Sequence, residues 1–346
     1  MALTAGTRPT LDHGPSKWLG GIVVANLVVQ ILIVVTGGLV RLTGSGLGCS
    51  TWPQCEPGSY TPTLRPEDGI HPYVEFGNRL LGILVGLVAL ALVYALWRWA
   101  RGPSRRRLLW LACGVVVGTL AQGVLGGITV RMELHPGTVM AHFLISVALI
   151  VLSTLVVYLW RGADPPGSAE RIPAPPVMRA VGAVTALVGT GVIVLGTVVT
   201  GSGPHSGDAE QPARLGFDPR TVSWLHADAV MLFVGLVVAM VLATSVLADA
   251  RSLRRPWRLV LTISLLQGLL GYVQYFAGVP VPLVSLHMLG ACLLASSLTW
   301  AVVAVFAGSL PGSDHRHEEQ RVDRDAEEEQ GQIADREVEQ AHRPQI

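Results

Sequence analysis

Three histidines of the 346-residue chain, His142, His226 and His287, lie inside long apolar stretches. Each sits about four to six residues into its stretch, which at ~1.5 Å per helical residue puts all three roughly 6–9 Å below one membrane surface. A lone histidine at such a place is readily explained by a hydrogen bond to a neighbouring helix. Three at one depth point further, because ionisable groups within a membrane are costly and usually functional. Imidazole is a standard axial ligand of haem iron, and facing helices of a bundle can each supply one. His226 and His287 would form a bis-histidine site. The place that should pair with His142 holds Asn78, a poor iron ligand, so that site would hold haem by one histidine and leave its other face open. Six-coordinate iron suits electron transfer, whereas an open face suits chemistry or exchange.

Other polar residues gather near the same surface. Glu75 lies three residues before Asn78, on the same helix face. It reads either as a carboxylate solvated at the membrane boundary or as a proton donor or acceptor over the open haem face. Arg41, Arg79 and Arg131 mark the outer ends of the first three apolar runs. They suit bidentate contacts to haem propionates, and equally suit ordinary interfacial snorkelling. Asp228 follows His226 by two residues, points elsewhere and reads as structural. Cys49 and Cys55 flank Ser-Thr-Trp-Pro-Gln in an outer loop. On the oxidising side a disulfide is the default, and two cysteines are too few for a metal site. Such a bridge either stiffens the loop or is reduced and used. Cys113 and Cys292, inside apolar runs, read as packing residues.

The elements that position these groups must cross a bilayer. Half of the residues are hydrophobic, 14% are charged, and the mean hydropathy is +0.49; a soluble domain carries roughly a quarter charged residues. Eight apolar spans are expected near 18–39, 73–96, 108–130, 137–160, 180–200, 222–247, 259–277 and 283–307, each close to the ~20 residues a spanning helix needs. The short alternating segments of a membrane β-barrel are not present. No cleavable signal is expected, since the first 16 residues are polar and the first apolar run is long enough to span. A net charge of +1 gives no reason to expect nucleic acid as a partner. Connections 97–107, 161–179 and 248–258 carry twelve arginines (five, three and four), against five in the alternate connections. Both termini are therefore expected in the cytoplasm, in a multi-pass protein of the plasma membrane. Residues 1–17 form a cytoplasmic N-terminal segment and 161–179 a cytoplasmic linker, Pro-rich over 163–176. Residues 309–346 form an acidic tail, expected to be disordered, with eleven acids against five arginines from Asp314 onward.

The linker separates two halves that repeat. Thr43-Gly44-Ser45-Gly46 recurs as Thr200-Gly201-Ser202-Gly203, and Gln122-Gly123-Val124-Leu125-Gly126 as Gln267-Gly268-Leu269-Leu270-Gly271. Gln122 precedes His142 by 20 residues and Gln267 precedes His287 by 20. With four helices per half, both copies have the same orientation, a parallel repeat about an axis along the membrane normal. The expected fold is an all-α integral membrane protein whose eight transmembrane helices form two pseudo-symmetric four-helix bundles, 18–160 and 180–308.

The run Gly37 to Cys49 (GGLVRLTGSGLGC), with Trp52-Pro53 and Cys55, then Glu75-Phe76-Gly77-Asn78-Arg79 and the histidines of helices 4, 6 and 8, resembles the haem A synthase family over roughly 18–307. The resemblance implies oxidation of the C8 methyl of haem O to a formyl group, giving haem A for terminal oxidase assembly. It implies that His226 and His287 ligate a resident haem b in the second bundle. It further implies that His142 faces the substrate haem in the first, that Glu75 is the essential acid, and that Cys49 and Cys55 form the loop pair. The departure is Asn78, where many members have histidine. The implied route is two hydroxylations of the methyl group and loss of water. Haem O synthase is a candidate partner, the electron donor is unidentified, and oligomerisation is open; the chain shows no flavin or nicotinamide motif. The rival readings are a di-haem electron carrier of cytochrome b-like type and a transporter. The first would want paired histidines at both sites, and the second polar or broken helices near the midplane.

Overall fold

The computed structural model describes residues 16–63, 65–100, 104–161, 174–205, 207 and 213–307. The acidic tail and most of the linker expected over 161–179 lie outside these residues, as do the first 15. The described chain forms eight long helices: α1 (Ser16–Leu42), α2 (His71–Trp99), α3 (Ser104–Arg131), α4 (Pro136–Arg161), α5 (Pro176–Ser202), α6 (Pro219–Val246), α7 (Arg254–Phe276) and α8 (Val281–Ala307). All eight are long and apolar enough to cross a membrane. The chain is a multi-pass membrane protein, and among the described residues there is no strand, only an isolated bridge between Glu56 and Ser59 in the outer loop.

The helices overrun the apolar spans at most ends, because a helix continues through the interfacial turn after its apolarity stops. α6 starts at Pro219 and α7 at Arg254, ahead of the first strongly apolar residues. Proline sets several starts: α4, α5 and α6 open on Pro136, Pro176 and Pro219, and Pro72 is second in α2. The first position of a helix has no use for the missing N–H, and the fixed φ is already helical. Asp218 caps α6 by accepting from the Thr221 N–H at 2.8 Å. α1 ends at Leu42, and the chain turns away at Gly44, whose φ of 68° is the left-handed conformation that only glycine adopts cheaply, with Ser45 N–H reaching back to the Val40 carbonyl at 2.9 Å.

Within each half, neighbouring helices pack in a closed ring. α1 touches α2, α2 touches α3, α3 touches α4, and α4 returns to α1; α5 to α8 repeat the circuit. This puts α2 diagonally across from α4, and α6 across from α8. The bundles meet where α1 and α4 pack on α8, and α4 on α5. Val34, Ile150 and Cys292 form a buried apolar seam there, which accounts for Cys292 as a packing residue. Thr154 Oγ1 lies 2.9 Å from Ser296 Oγ across the same seam. Buried polar pairs hold the first bundle together: Asn26 Nδ2 donates to Ser153 Oγ at 2.9 Å, and Gln30 Nε2 to Thr119 Oγ1 at 3.2 Å. Such pairs bind helices where apolar burial gives no drive, because lipid is as apolar as leucine.

The well-packed cores sit toward the inner ends. One gathers Phe233, Val237, Met240 and Trp257 in the second bundle, the other Val23, Leu92, Leu96 and Leu108 in the first. The outer part of the second bundle is different. No residue is buried on α6 from Ser223 to Leu232, on α7 from Leu265 to Phe276, or on α8 from Val281 to Ala291. His226 and His287 thus lie in a part of the bundle where no side chain is fully buried.

Candidate functional site

The repeat places four side chains in one register. Asn78 is the eighth residue of α2 and His226 the eighth of α6; His142 is the seventh of α4 and His287 the seventh of α8. All lie ~9–11 Å along their helices from the outer end, slightly deeper than the apolar spans alone suggested. Each also faces a glycine of the preceding helix. A Cβ placed on Gly126 would lie 3.5 Å from His142 Cε1, one on Gly196 3.3 Å from His226 Cε1, and one on Gly271 3.4 Å from His287 Cε1. One on Gly37 would lie 3.7 Å from Asn78 Nδ2. Four glycines therefore cradle the four side chains.

The glutamines of the repeated motif hold the histidine-bearing helices. Gln122 Nε2 donates to the His142 carbonyl at 2.7 Å and also contacts Ser146 Oγ; Gln267 Nε2 donates to the His287 carbonyl at 2.9 Å. The constant spacing of 20 is this bond. It fixes the height of α4 on α3 and of α8 on α7, and the glycine one turn further on receives the imidazole. The motif was visible in the sequence, but its task was not.

Each of the three histidines is half-buried with an enclosed Nδ1; among the described residues that of His142 and of His287 has no hydrogen-bond partner, while the His226 ring lies near the Val192 backbone. An enclosed polar atom without a partner is rare in folded proteins. His226 and His287 lie within electrostatic reach of one another, as expected for diagonal helices. Among the described residues, no three His, Cys, Asp or Glu side chains converge on a bare metal ion. Two imidazoles within electrostatic reach of one another, each with a glycine beside its ring, fit a planar macrocycle held by axial ligands.

The outer loop closes the first bundle. Cys49 and Cys55 form a disulfide with an S–S distance of 2.10 Å. The neighbouring backbone grips Glu75, whose Oε2 accepts from Cys49 N–H at 2.7 Å. Arg79, one turn on, sends Nε and Nη2 to Glu75 Oε1 at 3.1 and 2.6 Å, Nη1 to the carbonyl of Gln54 (3.2 Å) and Nη2 also to that of Thr51 (3.1 Å). Glu75 is only 6% exposed, so the solvated reading of this carboxylate does not hold. Through these bonds Arg79 braces Glu75 and the loop. Arg131 Nη2 donates to the Trp52 carbonyl at 3.3 Å, and the Trp52 indole packs on Gly127 of α3. Arg41 Nη2 reaches the Thr200 carbonyl at 2.7 Å, tying α1 to the end of α5, while its enclosed Nε has no partner among the described residues. Asp228 lies on the exposed stripe of α6 with Leu225, Met231 and Leu232, turned away from His226. Beyond the membrane, Glu56 is held below the ordinary glutamate range by the Thr63 hydroxyl and N–H.

Residues 20–299, which take in all eight helices, match the family model described as cytochrome oxidase assembly protein, COX15-CtaA. The chain belongs to that family. Among its relatives are proteins named heme A synthase. That of Methylorubrum extorquens is 32% identical over 300 residues, covering 70% of this chain and 76% of the relative. That of Caulobacter sp. strain K31 is 30% identical over 360 residues, covering 87% and 99%. A third, from Bacillus licheniformis, is 33% identical over 147 residues, 41% of this chain and 46% of that protein's own length. The family thus embraces both bundles, including the repeat that carries the four-position register.

Proposed function

We propose that this protein is a haem A synthase, oxidising the C8 methyl of haem O to a formyl group to supply haem A for terminal oxidase assembly. The observation that carries the reading is the four-position register: three imidazoles and one carboxamide at equivalent places in a member of this family. The second bundle, with His226 opposite His287, is the seat of a resident haem b. The first, with His142 opposite Asn78, is the seat of haem O. When bound, the resident haem supplies a one-electron redox centre. The protein does the rest. His226 and His287, each cradled by a glycine, are the residues that would hold the resident haem. Gln122 sets the height of His142 and Asn78 opposite offers iron no ligand, so the substrate would be held by one histidine and could leave after reaction. The side-chain register thereby separates a site that retains its haem from one that releases it.

Glu75 sits one turn above Asn78, nearer the outer surface, and is the acid-base group closest to the open face. Its link to Cys49 N–H ties its position to the disulfide loop, and Arg79 keeps it from swinging away. Arg41, with its unpartnered Nε, and Arg131 are the cations available to propionates at the outer rim. The arginine bias of alternate connections puts both termini, the 161–179 linker and the 309–346 tail in the cytoplasm, and the haem sites near the outer surface. Haem O synthase is a fitting partner, since it makes the substrate within the same membrane. The electron donor is a separate component, of a kind the chain's own motifs do not specify.

The bis-histidine pair by itself also suits a di-haem electron carrier. One experiment separates the two readings: co-expression with a haem O synthase in a host lacking haem A, followed by chromatography of the extracted haems. Haem A that appears only with this chain supports the synthase. Haem O alone, beside a purified protein that carries haem b, supports the carrier.

A further inference from the structure

We propose that Asn78 is a hydrogen-bond donor to a small oxygen-bearing ligand on the open face of the haem held by His142, and that Thr36 on α1 positions it for this. The inference rests on the reading of the first bundle as a haem site. Asn78 occupies the register position of His226, yet a carboxamide nitrogen has no free lone pair to offer iron; what it offers is two N–H donors. The structure orients that group. Thr36 Oγ1 lies 2.8 Å from Asn78 Oδ1, closer than the carbonyls of Leu32 (3.1 Å) and Ile33 (3.3 Å) to which a helical threonine ordinarily turns. The carboxamide oxygen is thereby held against α1. The Nδ2 end makes no hydrogen bond among the described residues, and Gly37 leaves it room, with a Cβ there only 3.7 Å away.

The second bundle lacks this arrangement. The cradle glycines, which set Gly37 of α1 against Gly196 of α5, put Leu195 where α1 has Thr36, and the eighth residue of α6 is an imidazole. The hydroxyl and the carboxamide thus occur together, in the bundle whose haem has an open face, and neither occurs in the other. Polar donors over an open haem face decide what binds there and how strongly it is polarised. The fitting ligand is small, with an acceptor atom, of the dioxygen class; a bulky one would displace the Asn78 side chain from Thr36.

Carbon monoxide is the probe, used on the full-length, haem-loaded protein after reduction. It binds only where a coordination position is free, so the His226–His287 haem stays silent. The expected result is one carbon monoxide complex per chain, lost in His142→Ala. Asn78→Leu and Thr36→Val should each retain that complex while raising the C–O stretching frequency, with the larger shift for Asn78→Leu, because the donor that polarises the ligand is lost or misdirected. Asn78→His should abolish carbon monoxide binding and add a second low-spin haem spectrum. An unchanged stretching frequency in Thr36→Val and Asn78→Leu, with the complex intact, overturns the donor role but leaves the haem site standing. A complex that survives His142→Ala overturns the reading of the site itself, and the inference with it. If Asn78→Leu fails to hold haem, Thr36→Val alone decides.

Discussion

At the scale of single residues, position in the register separates side chains of similar type. His142, His226 and His287 share an enclosed Nδ1 and a glycine beneath the ring, but only His226 and His287 face another imidazole across their bundle. Replacing either of these two by alanine should remove the low-spin haem spectrum of the purified protein, whereas His142→Ala should leave it. Retention of that spectrum in His226→Ala and His287→Ala would sink the assignment of the second bundle. Glu75 carries two duties, bracing the loop through Cys49 N–H and pairing with Arg79. Glu75→Ala should abolish haem A formation with the resident haem retained. It should also lower stability by about 1–3 kcal/mol in thermal unfolding, the cost of buried donors left without an acceptor. Normal haem A yield would return Glu75 to a purely structural role. Glu56 belongs to the same loop but outside the membrane. Its lowered pKa means the Thr63 clasp is fully formed above the ordinary glutamate value of 4.5 and is lost as pH falls through the lowered value. Amide exchange at Thr63, read from neutral to acid pH, should accelerate in that acid range, and Glu56→Gln should flatten the dependence.

At the scale of elements, the apolar spans were legible because bilayer thickness imposes a length on every helix. Their ends were less legible, since a helix continues past its apolar run; α7 begins at Arg254, five residues before the expected start. The Gln-Gly-x-x-Gly motif was legible as a repeat and opaque as a device. The contact of Gln267 with the His287 carbonyl and of Gly271 with the His287 ring exists only after α7 and α8 have packed. Gly271→Val adds a branched side chain where a single Cβ already lies 3.4 Å from His287 Cε1. It should tilt the imidazole and cut resident haem content several-fold with the helical content unchanged, as measured by haem-to-protein ratio and circular dichroism. Full haem occupancy would show that the cradle is not needed.

At the scale of the whole molecule, two rings of four helices are joined by an apolar seam inside and by polar ties near the outer surface. Arg41 reaches the Thr200 carbonyl, and Gly46 N–H meets the Gly207 carbonyl at 3.1 Å. The outer loops of the two halves thus interlock above the register of histidines. The arginine asymmetry predicts that this interlocked face lies outside the cytoplasm. Single cysteines introduced at Ser104 and at Gly58, in a background that keeps the Cys49–Cys55 bridge, should label from opposite sides with an impermeant reagent. Labelling of Ser104→Cys in intact cells would invert the topology.

The sequence by itself determined the class of protein, the eight spans, the parallel repeat and the shared level of the three histidines, because each follows from apolar length or from spacing along one chain. Only the tertiary structure decided what the polar groups touch. Arg79 meets Glu75 and two loop carbonyls, and Glu75, for which a solvated place at the membrane boundary was one reading, is buried. Thr36 carried no signal at all. Its hydroxyl acquires a partner only because α1 and α2 pack with Asn78 beside it, and contacts between residues 42 positions apart are written by packing, not by periodicity.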